Sequence, residues 1–368
     1  MAQWIHSWAD SMDILKMVMN LLKIIIKKGQ YLTDFHDSTT DEQKYLQMEA
    51  DHFDLSIQKL IILYCQSSQN KDAKSWLMKM NYSHRLSTHV LDYQKTSVDS
   101  LELNSKSYLT CFENTFNADL LTSMYEFLKP SSKFWSFHNY NQLKSTGYFS
   151  YVYPLNMNPR NFIEHYIQTL FALIKETYPE KAKKIKYAEW WAHCRPHFMG
   201  HQMHYDSEDE GNGTVRHPLL STVLYVSENE NVGGPTLMTN QKLGQDLANK
   251  GWLVFPKQNR LSIFDANYLH GVVPGKLITP DSDSRRITFM VGFWDHITIK
   301  DEPTFGSSRP LPTCTPWLDS TIPSQPFQLN PNREEVAPIP IKSVWQNINC
   351  SPLKSHVLPD YEGCFQGF

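Results

Sequence analysis

The sequence predicts a mainly β protein with helical support: a β-sandwich or barrel, preceded by a helical region and followed by an extended tail. Three observations predict it. The first proline is Pro130, and Gly29 is the only glycine before Gly147, so the early chain runs without helix breakers. After Lys186, short β-like runs alternate with turn clusters, a texture unlike βαβ units. Residues 301–368 then hold 11 of the 21 prolines, an excess that suits extended chain. The expected division is a helical region over 1–107 packed on the core, a β core over 108–300 and a Pro- and aromatic-rich segment over 301–368. No Pro/Gly/Ser linker separates the first two.

In the helical region, Ile14, Leu15, Val18, Leu21, Leu22 and Ile25 keep a helical period and Gly29 ends it. A second helix is expected over about 41–65 and a shorter one around Trp76–Met80. Asn117 is placed to cap a helix whose Leu120, Leu121, Met124, Phe127 and Leu128 share a face, with Pro130 just beyond. GYFSYVYPL (147–155) reads as a strand. Asn158-Pro159 then starts a helix with Phe162, Ile163, Tyr166, Leu170, Phe171 and Ile174 as its apolar stripe. The β-like runs are YAEWWAHCRPHF (187–198), LLSTVLYVS (219–227), GWLVF (251–255), RLSIFD (260–265) and RRITFMVGFW (285–294), separated by EDEGNG, NVGGP and TPDSDS. Trp317, Phe327, Trp345, Tyr361 and Phe365 make the tail too aromatic for a disordered linker, so it is expected to wrap over the barrel.

Composition narrows the function. Hydrophobic residues are 41% of the chain, enough to fill a sizeable core. A net charge of -3 gives no electrostatic reason to expect a nucleic-acid partner. The cluster Lys181, Lys183, Lys184 and Lys186 reads instead as a helix end. Six cysteines without a CxxC pair argue against a disulfide scaffold and a zinc ribbon. The N-terminal MAQWIHSWADSMD has neither a basic n-region nor an apolar h-region. The apolar stretch from Ile14 to Ile26 is broken by Lys16, Asn20 and Lys23. An intracellular, cytoplasmic protein is expected, with no membrane and no obligate protein partner.

The residues that carry chemistry are His204-Tyr205-Asp206, His270 and Arg285-Arg286. On a strand, positions i and i+2 share a face, so His204 and Asp206 can reach one metal, and His270 can add a ligand from a neighbouring strand. Two imidazoles and one carboxylate form the facial triad of non-haem Fe(II) oxygenases. A bare HxD is common by chance. His52-Phe53-Asp54 is another, on an expected helix where i and i+2 diverge, and reads as solvated surface. The run Glu208-Asp209-Glu210 reads as a solvated turn. His193, His197 and His201 read as pocket lining and hydrogen bonding, and Cys314, Cys350 and Cys364 as buried thiols.

Over roughly 108–298 the chain resembles the Fe(II)/2-oxoglutarate-dependent dioxygenase superfamily, in particular its prolyl-hydroxylase-like branch. CRPHFMGHQMHYD resembles the stretch into the first histidine and aspartate, and STVLYVSENENVGGPTL the strand, turn and Gly-Gly segment. LSIFDANYLHGVVPG resembles the run with the second histidine, and RRITF the Arg-x-Ser/Thr pattern. The resemblance implies a double-stranded β-helix (jelly-roll) core with helices on one side. It implies Fe(II) on His204, Asp206 and His270, and 2-oxoglutarate as cosubstrate with O2, supported by ascorbate. It implies Arg286 as the clamp on the far carboxylate, with Thr288 adding a hydroxyl and Tyr225 a further hydrogen bond. Arg285 is the rival clamp, because neighbours on a strand face opposite ways.

Two departures bear on substrate. Arg195 stands nine residues before His204, where prolyl hydroxylases carry a tyrosine, and His201 stands three before it, where an aromatic is common. Both suit an anionic group, with Trp191, Trp190 and Trp252 as an apolar wall. The alternative for Arg195 is a surface salt bridge with Glu189. The expectation is a small carboxylate-bearing metabolite, as for kainoid-forming cyclases. A protein prolyl hydroxylase, a cupin-like metalloenzyme and a non-catalytic jelly-roll binding protein are the alternatives. With Asp206 present, hydroxylation, desaturation or oxidative ring closure is favoured over halogenation.

Overall fold

The computed structural model describes residues 57–93, 108–140, 149–276, 284–300 and 308–348, together with 364–365. Within these, 59, 67–69, 81, 209–214, 229–231, 313–316, 319–326 and 342 are not described. The helix expected over 14–26, the start of the one over 41–65 and His52-Phe53-Asp54 lie outside the described residues, as do Cys314, Cys350 and Tyr361.

The strands are β1 His84–Leu86, β2 Leu109–Glu113, β3 Tyr151–Pro154, β4 Tyr187–Pro196, β5 His201–His204, β6 Leu220–Tyr225, β7 Thr236–Lys242 and β8 Gly251–Val254. They continue as β9 Leu261–Phe264, β10 Tyr268–Val272, β11 Arg285–Trp294, β12 Arg309–Pro310, β13 Glu334–Val336, β14 Ile339–Ile341, β15 Trp345–Asn347 and β16 Cys364–Phe365. One sheet runs β12-β3-β4-β11-β6-β9-β2-β13, a second runs β14-β8-β7-β10-β5, and a small third runs β15-β1-β16. The eight strands β4 to β11 fall into two facing quartets, β4-β11-β6-β9 and β5-β10-β7-β8, each antiparallel. That strand order is the double-stranded β-helix.

Alternation along β11 shows why this sequence makes two cores. Ile287, Phe289, Val291 and Phe293 join the large cluster with the helices Ala118–Leu128 and Phe162–Thr177. From the opposite face, Met290 joins Val223, Tyr225 and Phe264 of the same sheet and Met238, Trp252 and Val254 of the other. The helical residues 57–93 cover the outer face of the smaller sheet, where Leu60, Leu77 and Val90 share a cluster with Met203, Leu237, Leu253 and Leu269. No described helix is long and apolar enough to cross a membrane.

Several local expectations shift. The second long helix starts at Phe162, not at Asn158-Pro159, because Asn161 caps it: its Oδ1 accepts the Glu164 N–H at 3.0 Å, and the Glu164 carboxylate takes the Arg160 N–H at 2.6 Å. Asn117 is the N-cap of Ala118–Leu128, but its side chain makes no capping hydrogen bond. The tail carries more pairing than expected. β13 adds to the edge of β2, β14 to β8 and β12 to β3, so short tail strands cover edges that would otherwise template further pairing. Trp317 and Phe327 are buried in the helix-side core.

Candidate metal centre

His204 ends β5, and Asp206 lies two residues past it. His270 sits on β10 directly opposite His204 in the antiparallel register. The two strands approach closely at Gly271, where a Cβ would lie 2.8 Å from the His201 carbonyl oxygen and from the Met203 sulfur. Ligand atoms of His204, Asp206 and His270 all lie within 4.8 Å of one another, the one such metal-sized group of His, Cys, Asp and Glu among the described residues. The Nε2 atoms of His204 and His270 are 3.6 and 3.7 Å from the same oxygen, Oδ1 of Asp206.

The protonation pattern follows from donors and acceptors. His204 Nδ1 is 2.8 Å from the Gln202 carbonyl and His270 Nδ1 is 2.9 Å from the Tyr268 carbonyl. A carbonyl only accepts, so each Nδ1 carries the proton and each Nε2 presents a lone pair toward Asp206. Burial, then the adjacent His204, hold His270 down at about 4, so it is neutral near pH 7. Burial alone pushes the Asp206 carboxyl up. The imidazoles of His270 and His204 and the Ser221 hydroxyl outweigh it, and the group falls to about 2. Ser221 Oγ donates to Asp206 Oδ2 at 2.5 Å, which leaves Oδ1 toward the imidazoles. Two imidazoles and one ionised carboxylate are a donor set for a divalent transition metal.

Arg286 points into the barrel and is 4% exposed, whereas Arg285 is only half-buried and donates to the Ser284 carbonyl. Arg286 Nη2 donates to Thr236 Oγ1 at 2.9 Å, and the guanidinium lies 5.1 Å over the Tyr225 ring. Gly233, at φ +84°, leaves room for the arginine stem: a Cβ there would fall 2.3 Å from Arg286 Cδ. Arg286 Nε and Thr288 Oγ1 are buried without a hydrogen-bond partner. Such orphaned donors are costly unless a ligand satisfies them, and a carboxylate fits both. The Tyr225 hydroxyl is engaged by Thr236 Oγ1 at 2.6 Å and by the Val254 carbonyl at 3.2 Å, so it backs Arg286 from within the wall.

The remaining candidates are distributed as follows. Arg195 stands opposite Arg286 in the β4–β11 register and donates through Nη1 to the Gly200 carbonyl. It makes no salt bridge with Glu189, whose carboxylate accepts from Ser150 at 2.5 Å and Ser308 at 3.2 Å. His201 stacks edge-on against His204 with centroids 4.6 Å apart. Trp191, opposite Met290, packs between the two main cores. Trp252 lies in the barrel core, but Trp190 packs against the helices and so cannot wall the pocket. Glu208 corrects the solvated-turn expectation: it is buried, paired with Arg216 and accepts the Thr298 N–H at 2.7 Å. His197 is pinned between the Gly233 N–H at 3.0 Å and the Lys276 carbonyl at 2.9 Å. Sequence reasoning missed Ser221, Thr236 and Tyr140. A serine or threonine carries no local pattern that announces its partner, and Tyr140 reaches the site from outside the barrel.

No family model and no curated protein matches the chain. Among solved structures it is similar to a prolyl-4-hydroxylase of Pseudomonas putida, 14% identical, covering 55% of this chain and 91% of that one at a TM-score of 0.32. It is similar to EctD from S. alaskensis, 16% identical over 58% of this chain and 84% of that one, TM-score 0.32. An oxidoreductase of the 2OG-Fe(II) oxygenase family from Burkholderia pseudomallei is 12% identical over 44% of this chain and 70% of that one, TM-score 0.26. The strand order of the two quartets defines the fold.

Proposed function

We propose that this chain is an Fe(II)- and 2-oxoglutarate-dependent oxygenase acting on a small carboxylate-bearing metabolite. The observation that carries the reading is the pairing of two features in one barrel. Three ligand atoms lie within 4.8 Å of one another, and Arg286 Nε and Thr288 Oγ1 are buried without partners in the same interior. The first fits a divalent metal; the second fits a carboxylate. His204, Asp206 and His270 would hold Fe(II), and Arg286 and Thr288 the far carboxylate of 2-oxoglutarate, with Tyr225 supporting the guanidinium. When bound, the metal and cosubstrate supply the two-electron oxidation of a substrate by O2, with 2-oxoglutarate leaving as succinate and CO2.

The chain's own part is to place these groups and exclude water. Ser221 orients Asp206. The backbone carbonyls of Gln202 and Tyr268 fix the imidazole tautomers. Arg195, His201 and Trp191 flank the substrate, and hydroxylation, desaturation and ring closure are its outcomes. The test is succinate formation from 2-oxoglutarate with Fe(II), O2 and ascorbate across a panel of small amino acids and other carboxylic acids. Iron-dependent succinate release that a carboxylic acid stimulates supports the reading. Stimulation by proline-containing peptides alone moves it to protein prolyl hydroxylation, and no iron-dependent turnover moves it to a binding protein.

A further inference from the structure

The inner face of β4 carries more than Arg195. His193 shares a cross-strand row with Thr288 and Tyr225, and Arg195 shares the next with Arg286. Tyr140 comes to this wall from outside the barrel. Its hydroxyl lies 2.9 Å from His193 Nδ1 and receives the Cys194 backbone N–H at 3.3 Å. It also lies against the Arg195 guanidinium. The Cys194 N–H and the guanidinium can only donate, so they occupy the lone pairs of the tyrosine oxygen. The phenolic proton is left for His193 Nδ1. A neutral imidazole that accepts at Nδ1 carries its hydrogen on Nε2, and His193 is kept neutral by burial and by the nearby Arg195 and Arg286. One hydroxyl therefore sets both the tautomer of His193 and the position of Arg195.

What remains on this wall is a pair of donors. Arg195 Nη1 is used by the Gly200 carbonyl, while its Nε is buried without a partner. The two arginines lean apart: Arg286 toward Thr236 on β7, Arg195 toward Gly200 before β5. The nearest acid on the inner face of β4, Glu189, lies three alternations down the strand and is taken by Ser150 and Ser308. Asp206 faces the imidazoles of His204 and His270. Arg195 is thus a partly buried cation with no ion pair to a carboxylate among the described residues, a state that an incoming anion relieves.

We infer that His193 and Arg195 form one carboxylate-reading subsite, an imidazole N–H for one oxygen and a guanidinium N–H for the other, with Tyr140 as the positioning residue that fixes both. The inference rests on the oxygenase reading and names how the acid group of its substrate is held.

The test uses the full-length protein loaded with redox-inert zinc(II) and 2-oxoglutarate, with acetate as the probe. Imidazole nitrogen NMR of the wild type should show His193 as the Nε2–H tautomer. Acetate should saturably shift the His193 Nε2–H and Arg195 Nε–H signals. Tyr140→Phe keeps the ring against Trp135 but removes the hydroxyl; it should weaken acetate at least about fivefold, the scale of one net hydrogen bond, and mix the His193 tautomers. An Nδ1–H tautomer in the wild type, acetate that leaves both signals unmoved, or equal acetate affinity in Tyr140→Phe overturns the inference. If 2-oxoglutarate fails to bind the zinc-loaded protein while the tautomer and the acetate response hold, the oxygenase reading fails and the subsite stands.

Discussion

Two carboxylates, half-buried Asp206 at the candidate metal centre and buried Glu189 lower on the inner face of β4, look alike at first contact. Each accepts a serine hydroxyl at 2.5 Å, Ser221 for Asp206 and Ser150 for Glu189. Yet Asp206 is held at about 2, and Glu189 is pushed up to about 7. Burial raises both. The difference lies in the other neighbours: imidazoles for Asp206, only hydroxyls, the Trp294 indole and the distant charge of Asp206 itself for Glu189. A carboxylate kept ionised in a dry interior is one ready for a cation. A carboxylate left to burial holds its proton up to near neutrality, and here it ties the start of β3 to the tail at Ser308.

The contrast can be broken at either end. The largest effect is expected at the metal centre. His270→Ala should abolish metal uptake and 2-oxoglutarate turnover while circular dichroism stays native, since three ligands on a preformed scaffold are not what folds the barrel. A fully active variant would end the assignment. Next is the clamp. Arg286→Ala should raise the KM for 2-oxoglutarate by the equivalent of about 2–5 kcal/mol, the scale for truncating a buried charge-assisted pair, and much more than Arg285→Ala does. Steady-state kinetics on both variants checks this.

Glu189→Gln probes the other carboxylate. Its folded value of about 7 lies above the ordinary 4.5, so the native state binds the extra proton between those values. The sign follows: wild-type stability from this group is complete below about pH 4.5 and is lost as pH rises toward 7. Relative to wild type, Glu189→Gln should gain about 3 kcal/mol between pH 4.5 and pH 8, read from urea unfolding at both. A flat difference would place a hidden cation beside Glu189. Smallest is Ser221→Ala. It should leave Asp206 ionised but less fixed, weakening metal affinity about tenfold in a competitive chelator titration.

Much of this was readable in the sequence because the chemistry sits in compact motifs. HYD, the histidine after RLSIFDANYL and the arginine of RRITF fall where the strands bring them, and alternation along 285–294 decides which arginine faces inward. Besides β1 and the tail strands, two strands of the main sheets escaped. Thr236–Lys242 gains its place from backbone ladders to β8 and β10, while its own residues read as half polar. Leu109–Glu113 is a single short run between helical neighbours, and its partner β9 lies far along the chain. Partners such as Tyr140 and Ser221 exist only once distant segments meet, so no local pattern could name them. Asn158-Pro159 carries helix-start signals, but Asn161, three residues on, is the cap because its side chain accepts the Glu164 N–H.

The pairing of β4 with β11 has a consequence for how the protein comes into being. The first and last strands of the barrel are neighbours along their full length. During synthesis, β4 must wait for nearly the whole barrel before its partner leaves the ribosome, and such non-local closure is slow. Until then, Arg195 lacks the strand that carries Arg286, although β10, made earlier, can already set His270 opposite His204. A nascent chain that ends before β11 therefore lacks the Arg286 wall of the candidate site. The wall that carries Arg286 is the last part of the barrel to be added.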